Sequence, residues 1–174
     1  IVKPEEIDAL GHMNVKFYMT RVDQANRSLL TEIGVQETSD KLIRRLDTYT
    51  RFHREQFVGA TLHTLGGLVP VEGERGLKEL RGYFEIRNPT NNEIAASFIL
   101  RSCFVEVSSQ RVQDISLNAI SLERRSVSVP EYGMPRSLSL NEPNRTSLQE
   151  LNAVASDYPT PGMMSGRHES IVHI

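Results

Sequence analysis

The clearest helical period in this chain is a single run, and strand patterns follow it. Between Lys16 and Ile33, the residues Tyr18, Val22, Ala25, Leu29 and Ile33 recur at steps of three and four, while Arg21, Gln24, Arg27 and Glu32 fall elsewhere. Asn14 suits the N-cap of this helix, and Gly34 suits the left-handed position that stops it. One apolar stripe needs one apolar surface to cover it. The rest of the domain has to supply that surface.

It supplies strands. The polar stretch VQETSDKLIRRLD is read as holding a further helical turn, and from Thr48 the period changes to two. LKELRGYFEIRN places Leu80, Gly82, Phe84 and Ile86 on one face, and Glu79, Arg81, Tyr83, Glu85 and Arg87 on the other. NPTNN reads as a turn, and EIAASFILRSCFVEV returns with Ile94, Ala96, Phe98, Leu100 and Phe104 in phase. TYTRFHREQF and ATLHTLGGLVPVE are two earlier strands that part near Val58–Gly59, and Gly66–Gly67 marks a bulge or a close backbone approach. IVKP is a candidate first strand, and QDISLNAISLERR fits an edge strand or a short helix. One helix and at least four antiparallel strands make an α+β domain. Uncovered edges in such a sheet favour self-association.

Beyond about Ser126 the character shifts. Five of the eight prolines lie there, and only TSLQELNAVASD looks helical, with Ser147 and Glu150 at capping-box spacing. The expected division is a domain over 1–130 and an appended segment over 131–174, partly helical, whose end PGMMSGRHESIVHI is a candidate for disorder.

Composition narrows the function. A net charge of −2, from 20 basic and 22 acidic residues, gives no electrostatic case for nucleic acid or an anionic membrane. No apolar run approaches the ~20 residues of a membrane span, and IVKPEEID has neither the basic start nor the apolar core of a secretory leader. The single cysteine, Cys103, excludes an internal disulfide and a cysteine-rich zinc site, and in SFILRSCFVEV it reads as a core thiol. A cytoplasmic setting is expected.

The chemistry centres on DALGHMNVKFYM, Asp8 to Met19. A turn through Gly11 followed by a helix can set the Asp8 carboxylate beside free backbone N–H groups, which with the helix dipole favour an oxygen gaining negative charge. An aspartate is normally ionised at neutral pH, ready to act as base or nucleophile. His12 can orient substrate or water, and Asn14 and Tyr18 can supply hydrogen bonds. By spacing alone, the same residues also describe a helix start with a polar cap.

The stretch D-A-L-G-H-M-N-V-K-F-Y resembles the D-x-x-G-H-x-N-N-x-x-Y motif of the hotdog-fold acyl-CoA thioesterases, the 4-hydroxybenzoyl-CoA thioesterase-like family. Acid, glycine, histidine, asparagine and tyrosine all fall at matching spacings. The strands follow in the family's order, and LERRSVSVPEY resembles the close of many members. The resemblance covers about residues 1–130. Val15 is the departure, standing where a second asparagine is common. It implies a hotdog: a curved antiparallel sheet wrapped around one long central helix, paired into dimers that often pair again. It also implies hydrolysis of an acyl-CoA thioester, with CoA as part of the substrate and no cofactor.

Carried over residue by residue, Asp8 is the catalytic carboxylate, acting as nucleophile or general base. The Val15 backbone N–H is the oxyanion donor, and His12 and Asn14 are supporting polar groups. Gly11 and Tyr18 belong to the substrate-binding wall, and the pocket lies at a homodimer or homotetramer interface. Some members use an acid elsewhere in the fold, which makes Glu55 in HREQF a reserve. His53 and His63 on adjacent strands lack a placed third ligand and do not make a metal site. Arg81, Arg87 and Arg101 are candidates for gripping CoA phosphates.

Two other readings stand beside hydrolysis. A hotdog hydratase or dehydratase usually carries a D-x-N-P-x-H segment, and no Asn-Pro intervenes between Asp8 and His12. A hotdog that binds acyl thioesters or only assembles is compatible with the fold, though the intact acid-Gly-His-Asn set argues against a decayed site.

Overall fold

A computed structural model describes residues 1–72, 76, 78–117 and 123–134, together with the strand at 170–173. The helix α1 spans Val15–Glu32, and the Asn14 side chain accepts a hydrogen bond from the Lys16 N–H at its start. Gly34, with φ of +79°, ends it. The Gly34 N–H donates to the Thr31 carbonyl and the Val35 N–H to the Leu30 carbonyl, so two of the last free carbonyls are satisfied. Both caps lie where the sequence places them.

Six strands form one sheet: β1 (Lys41–Phe52), β2 (His63–Leu68), β3 (Glu79–Asn88), β4 (Glu93–Glu106), β5 (Val112–Gln113) and β6 (Ser170–His173). Their order is β2-β3-β4-β1-β6, with β5 paired to the end of β4. All neighbours are antiparallel except β6, which runs parallel to β1. The apolar stripe of α1, chiefly Tyr18, Val22, Leu29, Leu30 and Ile33, packs on Leu68, Leu80, Phe84, Ile86, Ala96, Phe98 and Leu100. This is one continuous core, built from the alternation of β3 and β4.

Three expectations change. Residues 41–47 are strand, not helical turn: β1 starts at Lys41. Its register with β4 slips between Arg45 and Asp47. The bulge puts even-numbered residues on the outer face before it and odd-numbered ones after it, which erases the alternation. IVKP is not a strand. Val2 exchanges two backbone hydrogen bonds with Gly59 and Ala60, and Pro4–Glu6 then turn as a 3-10 helix. QDISLNAISLERR divides into the two-residue β5 and a helical turn at 123–125. The chain end also supplies β6, while the helix expected at 146–157 and His168 lie outside the described residues.

Gly66 and Gly67 are a close approach and not a bulge, since β2 and β3 stay in register throughout. A Cβ on Gly66 would strike the Phe84 ring, and one on Gly67 would lie 2.8 Å from Val127. That space lets Ser126 bridge to Leu68 and the Val127 N–H donate to the Leu68 carbonyl at 2.7 Å. Residues 126–134 thereby run across the sheet face opposite α1, where Val127 and Val129 pack on Tyr49, Tyr83 and Ile99.

Glu85 holds that segment in place. Its carboxylate accepts the Tyr132 hydroxyl at 2.6 Å, the Tyr83 hydroxyl at 2.7 Å and the Arg87 Nε–H at 2.6 Å. Burial pushes its pKa up, but the three hydrogen bonds outweigh burial and hold it below the ordinary carboxylate range. A depressed folded pKa stabilises the fold above the unfolded value and is lost as pH falls through the folded one. Unfolding midpoints of the wild-type protein should therefore drop from about pH 5 downward, and Glu85→Gln should flatten that decline. An equally steep acid limb in the variant would contradict this.

Candidate functional site

The segment before α1 is a closed hairpin. Ile7 bridges Met13 in antiparallel fashion. The Asp8 N–H donates to the His12 carbonyl at 2.8 Å, and the Gly11 N–H donates to the Asp8 carbonyl at 3.1 Å. Gly11 has φ of +86°, the left-handed conformation such a turn needs at that position. Asp8 Oδ1 accepts the Leu10 N–H at 2.9 Å and the His12 N–H at 3.1 Å. Oδ1 is thus committed to the turn, and Oδ2 makes no hydrogen bond among the described residues.

This hairpin is fixed to the helix start. The Asn14 N–H donates to the Glu6 carbonyl at 2.8 Å, and Glu6 pairs with Arg21 of α1 at 2.9 Å. Of the first helical amides, that of Lys16 goes to the Asn14 side chain and that of Phe17 to the Asn14 carbonyl. The Val15 N–H is left with no acceptor among the described residues, and Val15 is half exposed at 51%. An open N–H at a helix N-terminus can meet an oxygen that is gaining charge.

The segment 53–60 forms the other wall. The Met13 N–H donates to the Gln56 carbonyl at 2.7 Å, which stitches the wall to the hairpin. Glu55 Oε2 lies 3.2 Å from His12 Nε2, and the Phe57 ring meets the imidazole edge-on with centroids 5.4 Å apart. Tyr18 is buried and stacks edge-on against Phe52 at 5.3 Å. Burial pushes its hydroxyl up to about 12, with the Gln56 backbone working the other way. It therefore stays protonated at neutral pH.

Asp8, Gly11, His12, Asn14 and Val15 thus form one unit, with Tyr18 one turn into the helix beneath it. Glu55 joins them through His12. The sequence reading missed Phe57, exposed at 54% against the His12 ring, and its chain neighbour Val58, exposed at 56%. Their one signal is an apolar pair set between the charged HRE and Gly59. Arg81, Arg87 and Arg101 are elsewhere, on the outer sheet face, where Glu79 takes Arg81 and Arg101 and Glu85 takes Arg87. His53 Nε2 bonds Ser97 Oγ at 2.9 Å, and His63 is exposed on β2. Among the described residues no three metal-ligating side chains converge. Cys103 is fully buried, and burial pushes its thiol up to about 12.

The model of the thioesterase-like superfamily matches residues 2–132. The chain belongs to that superfamily. The activity of its class is thioester hydrolysis, and the architecture is the hotdog: a sheet around one long helix. Several solved members of this fold superpose on the chain. A 1,4-dihydroxy-2-naphthoyl-CoA thioesterase from Synechocystis does so with a TM-score of 0.58 at 11% identity, over 66% of this chain and 85% of its own. A thioesterase from Thermus thermophilus, solved with coenzyme A and zinc, gives 0.53 at 19% over 71% and 86%. A probable thioesterase from Escherichia coli gives 0.55 at 12% over 65% and 84%. At such identities the likeness is one of fold. Among curated proteins, none matches the chain in sequence. Among the described residues, no helix of this superfamily member is long and apolar enough to cross a membrane.

Proposed function

We propose that the protein hydrolyses an acyl-CoA thioester to the free acid and CoA, with Asp8 as the acting carboxylate. The observation that carries this is the division of labour at the helix start. Asp8 Oδ1 is anchored by two backbone N–H groups, which leaves Oδ2 for chemistry, and the Val15 N–H remains unpaired. As general base, Oδ2 takes a proton from water while the water oxygen adds to the carbonyl carbon. The oxyanion meets the Val15 N–H, the C–S bond breaks, and the departing thiolate takes the proton from Asp8. As nucleophile, Oδ2 adds to the carbonyl carbon, and the C–S bond breaks to give the mixed anhydride and a CoA thiolate that takes a proton from solvent. Water then cleaves the anhydride to the free acid and restores the Asp8 carboxylate. His12 and Asn14 keep the loop in shape, and Gly11 and Tyr18 border the substrate. CoA enters as substrate, with no cofactor.

The surface around the loop supports a site completed by a second copy of the chain. Leu10 within the Asp8–His12 hairpin, Val15 at the helix start, and Phe57 and Val58 on the segment stitched to it are each more than half exposed. An apolar rim of this kind normally marks an interface or a ligand groove. β2 is last in the strand order with Leu65 exposed, and although Ser126 and Val127 take its Leu68 end, the rest of that edge is where we place pairing with a second copy. A homodimer, or a homotetramer built from two, is the proposed assembly, and the cytoplasm is the proposed setting. Thiol release from a panel of aromatic and aliphatic acyl-CoA esters tests the reading. At least one ester should be turned over, and a protein that binds these esters while releasing no thiol would be a binding module instead.

A further inference from the structure

The His12 ring is held from a direction that the hairpin itself does not explain. Its backbone is clamped to Asp8 both ways, by the Asp8 N–H on the His12 carbonyl and the His12 N–H on Asp8 Oδ1. What remains free is the rotation of the side chain. Two residues of the facing segment restrict it: Glu55 at Nε2, 3.2 Å away, and Phe57 against the ring plane. Neither sits on an independent loop. Gln56, between them, has its carbonyl bonded to the Met13 N–H, and Gly59 and Ala60 are bonded to Val2. Glu55 is therefore delivered to His12 by the backbone of the domain.

We propose that Glu55 is a positioning residue for the reaction, fixing the His12 imidazole with its proton on Nε2 and leaving Nδ1 for the attacking water. Two features point this way. The Glu55 side chain is 67% exposed and that of His12 is 31% exposed, and a polar contact so open adds little to stability. Its location gives it a use that its stability contribution does not. The charge of Glu55 also works, behind burial, against loss of the Tyr18 hydroxyl proton, so it acts within electrostatic range of the site. In a histidine with Nε2–H donated to a carboxylate, Nδ1 carries the lone pair, and here it makes no hydrogen bond among the described residues. A water giving one proton to Asp8 Oδ2 directs its second O–H to Nδ1. His12 then orients the nucleophile without itself changing protonation. The tautomer is set by the residue behind the ring, as with metal-bound histidines held by an outer carboxylate.

This inference rests on the hydrolase reading, and its test separates the two. The variants are Glu55→Ala and Glu55→Gln in the full chain, assayed with the acyl-CoA ester that the wild type turns over best. Glu55→Ala should lower kcat about tenfold, the lower end of what losing the partner behind a functional histidine costs, with KM unchanged. Glu55→Gln, whose amide oxygen still accepts from Nε2–H, should recover most of that loss. Nitrogen NMR of the His12 ring should show the Nε2–H tautomer in the wild type and in Glu55→Gln, and a mixture in Glu55→Ala. Wild-type kcat in Glu55→Ala, or a raised KM with kcat unchanged, overturns the positioning role. If Asp8→Asn is then inactive, the hydrolase reading survives that result. A wild type inert toward every ester, with the Nε2–H tautomer intact, overturns the hydrolase reading and with it any role of Glu55 in turnover.

Discussion

Val15→Pro should lower kcat by about 10²–10³-fold while leaving the fold and its unfolding midpoint near those of the wild type. Few sites allow a backbone donor to be deleted so cleanly. Proline at the first helical position is favoured, because the amide there has no partner inside the helix. The residue before a proline must be extended, and Asn14 already has φ of −65° and ψ of 138°. The cap bond from the Lys16 N–H to Asn14 Oδ1 does not involve the deleted group. Val15→Ala keeps the N–H and trims the exposed side chain, so it separates amide from side chain. If Val15→Pro folds and turns over at the wild-type rate, the oxyanion is stabilised elsewhere.

Asp8→Asn should cost about 10²–10⁴-fold in kcat, the range expected when a general base is removed. The substitution is conservative in structure for a specific reason. An asparagine oxygen can accept the Leu10 and His12 N–H groups that Asp8 Oδ1 now accepts, so the turn persists. What changes is the second position, where an NH₂ replaces Oδ2 and neither takes a proton from water nor attacks a carbonyl. Circular dichroism and the unfolding midpoint should stay close to wild type. A structural carboxylate would show the reverse: near-normal turnover, with any loss confined to stability.

How much of this was legible in the sequence depended on the range of the forces involved. The ends of α1 were readable because Asn14 and Gly34 act on backbone groups within a few residues. β3 was readable because it keeps one alternation along its whole length, and β4 because it keeps one from Ala96 onward; before that its register with β3 slips, so Ile94 pairs with the outer-face Arg87 and leaves the phase expected of it. β1 was not readable, since the slip between Arg45 and Asp47 exchanges its two faces halfway. The hairpin was half readable. Asp8, Gly11, His12 and Asn14 signal a turn and a helix start, and the family resemblance added chemistry to it. That Oδ1 is spent on two amides emerges only from the folded loop. The link from Glu55 to His12 was out of reach, because Met13 and Gln56 have to pair before the two side chains meet. The outer-face arginines show the opposite case. Their charges suggested phosphate, yet cross-strand pairing had already assigned them to Glu79 and Glu85.

The proposed role of Asp8 is to turn a bound acyl-CoA into acid and free thiol. One measurement addresses it directly: CoA release under single-turnover conditions, wild type beside Asp8→Asn, with binding of the same ester followed by calorimetry. Binding should be nearly equal, and release should be fast in the wild type and slower by about two orders of magnitude or more in the variant. Equal rates of CoA release from the two proteins would contradict the account.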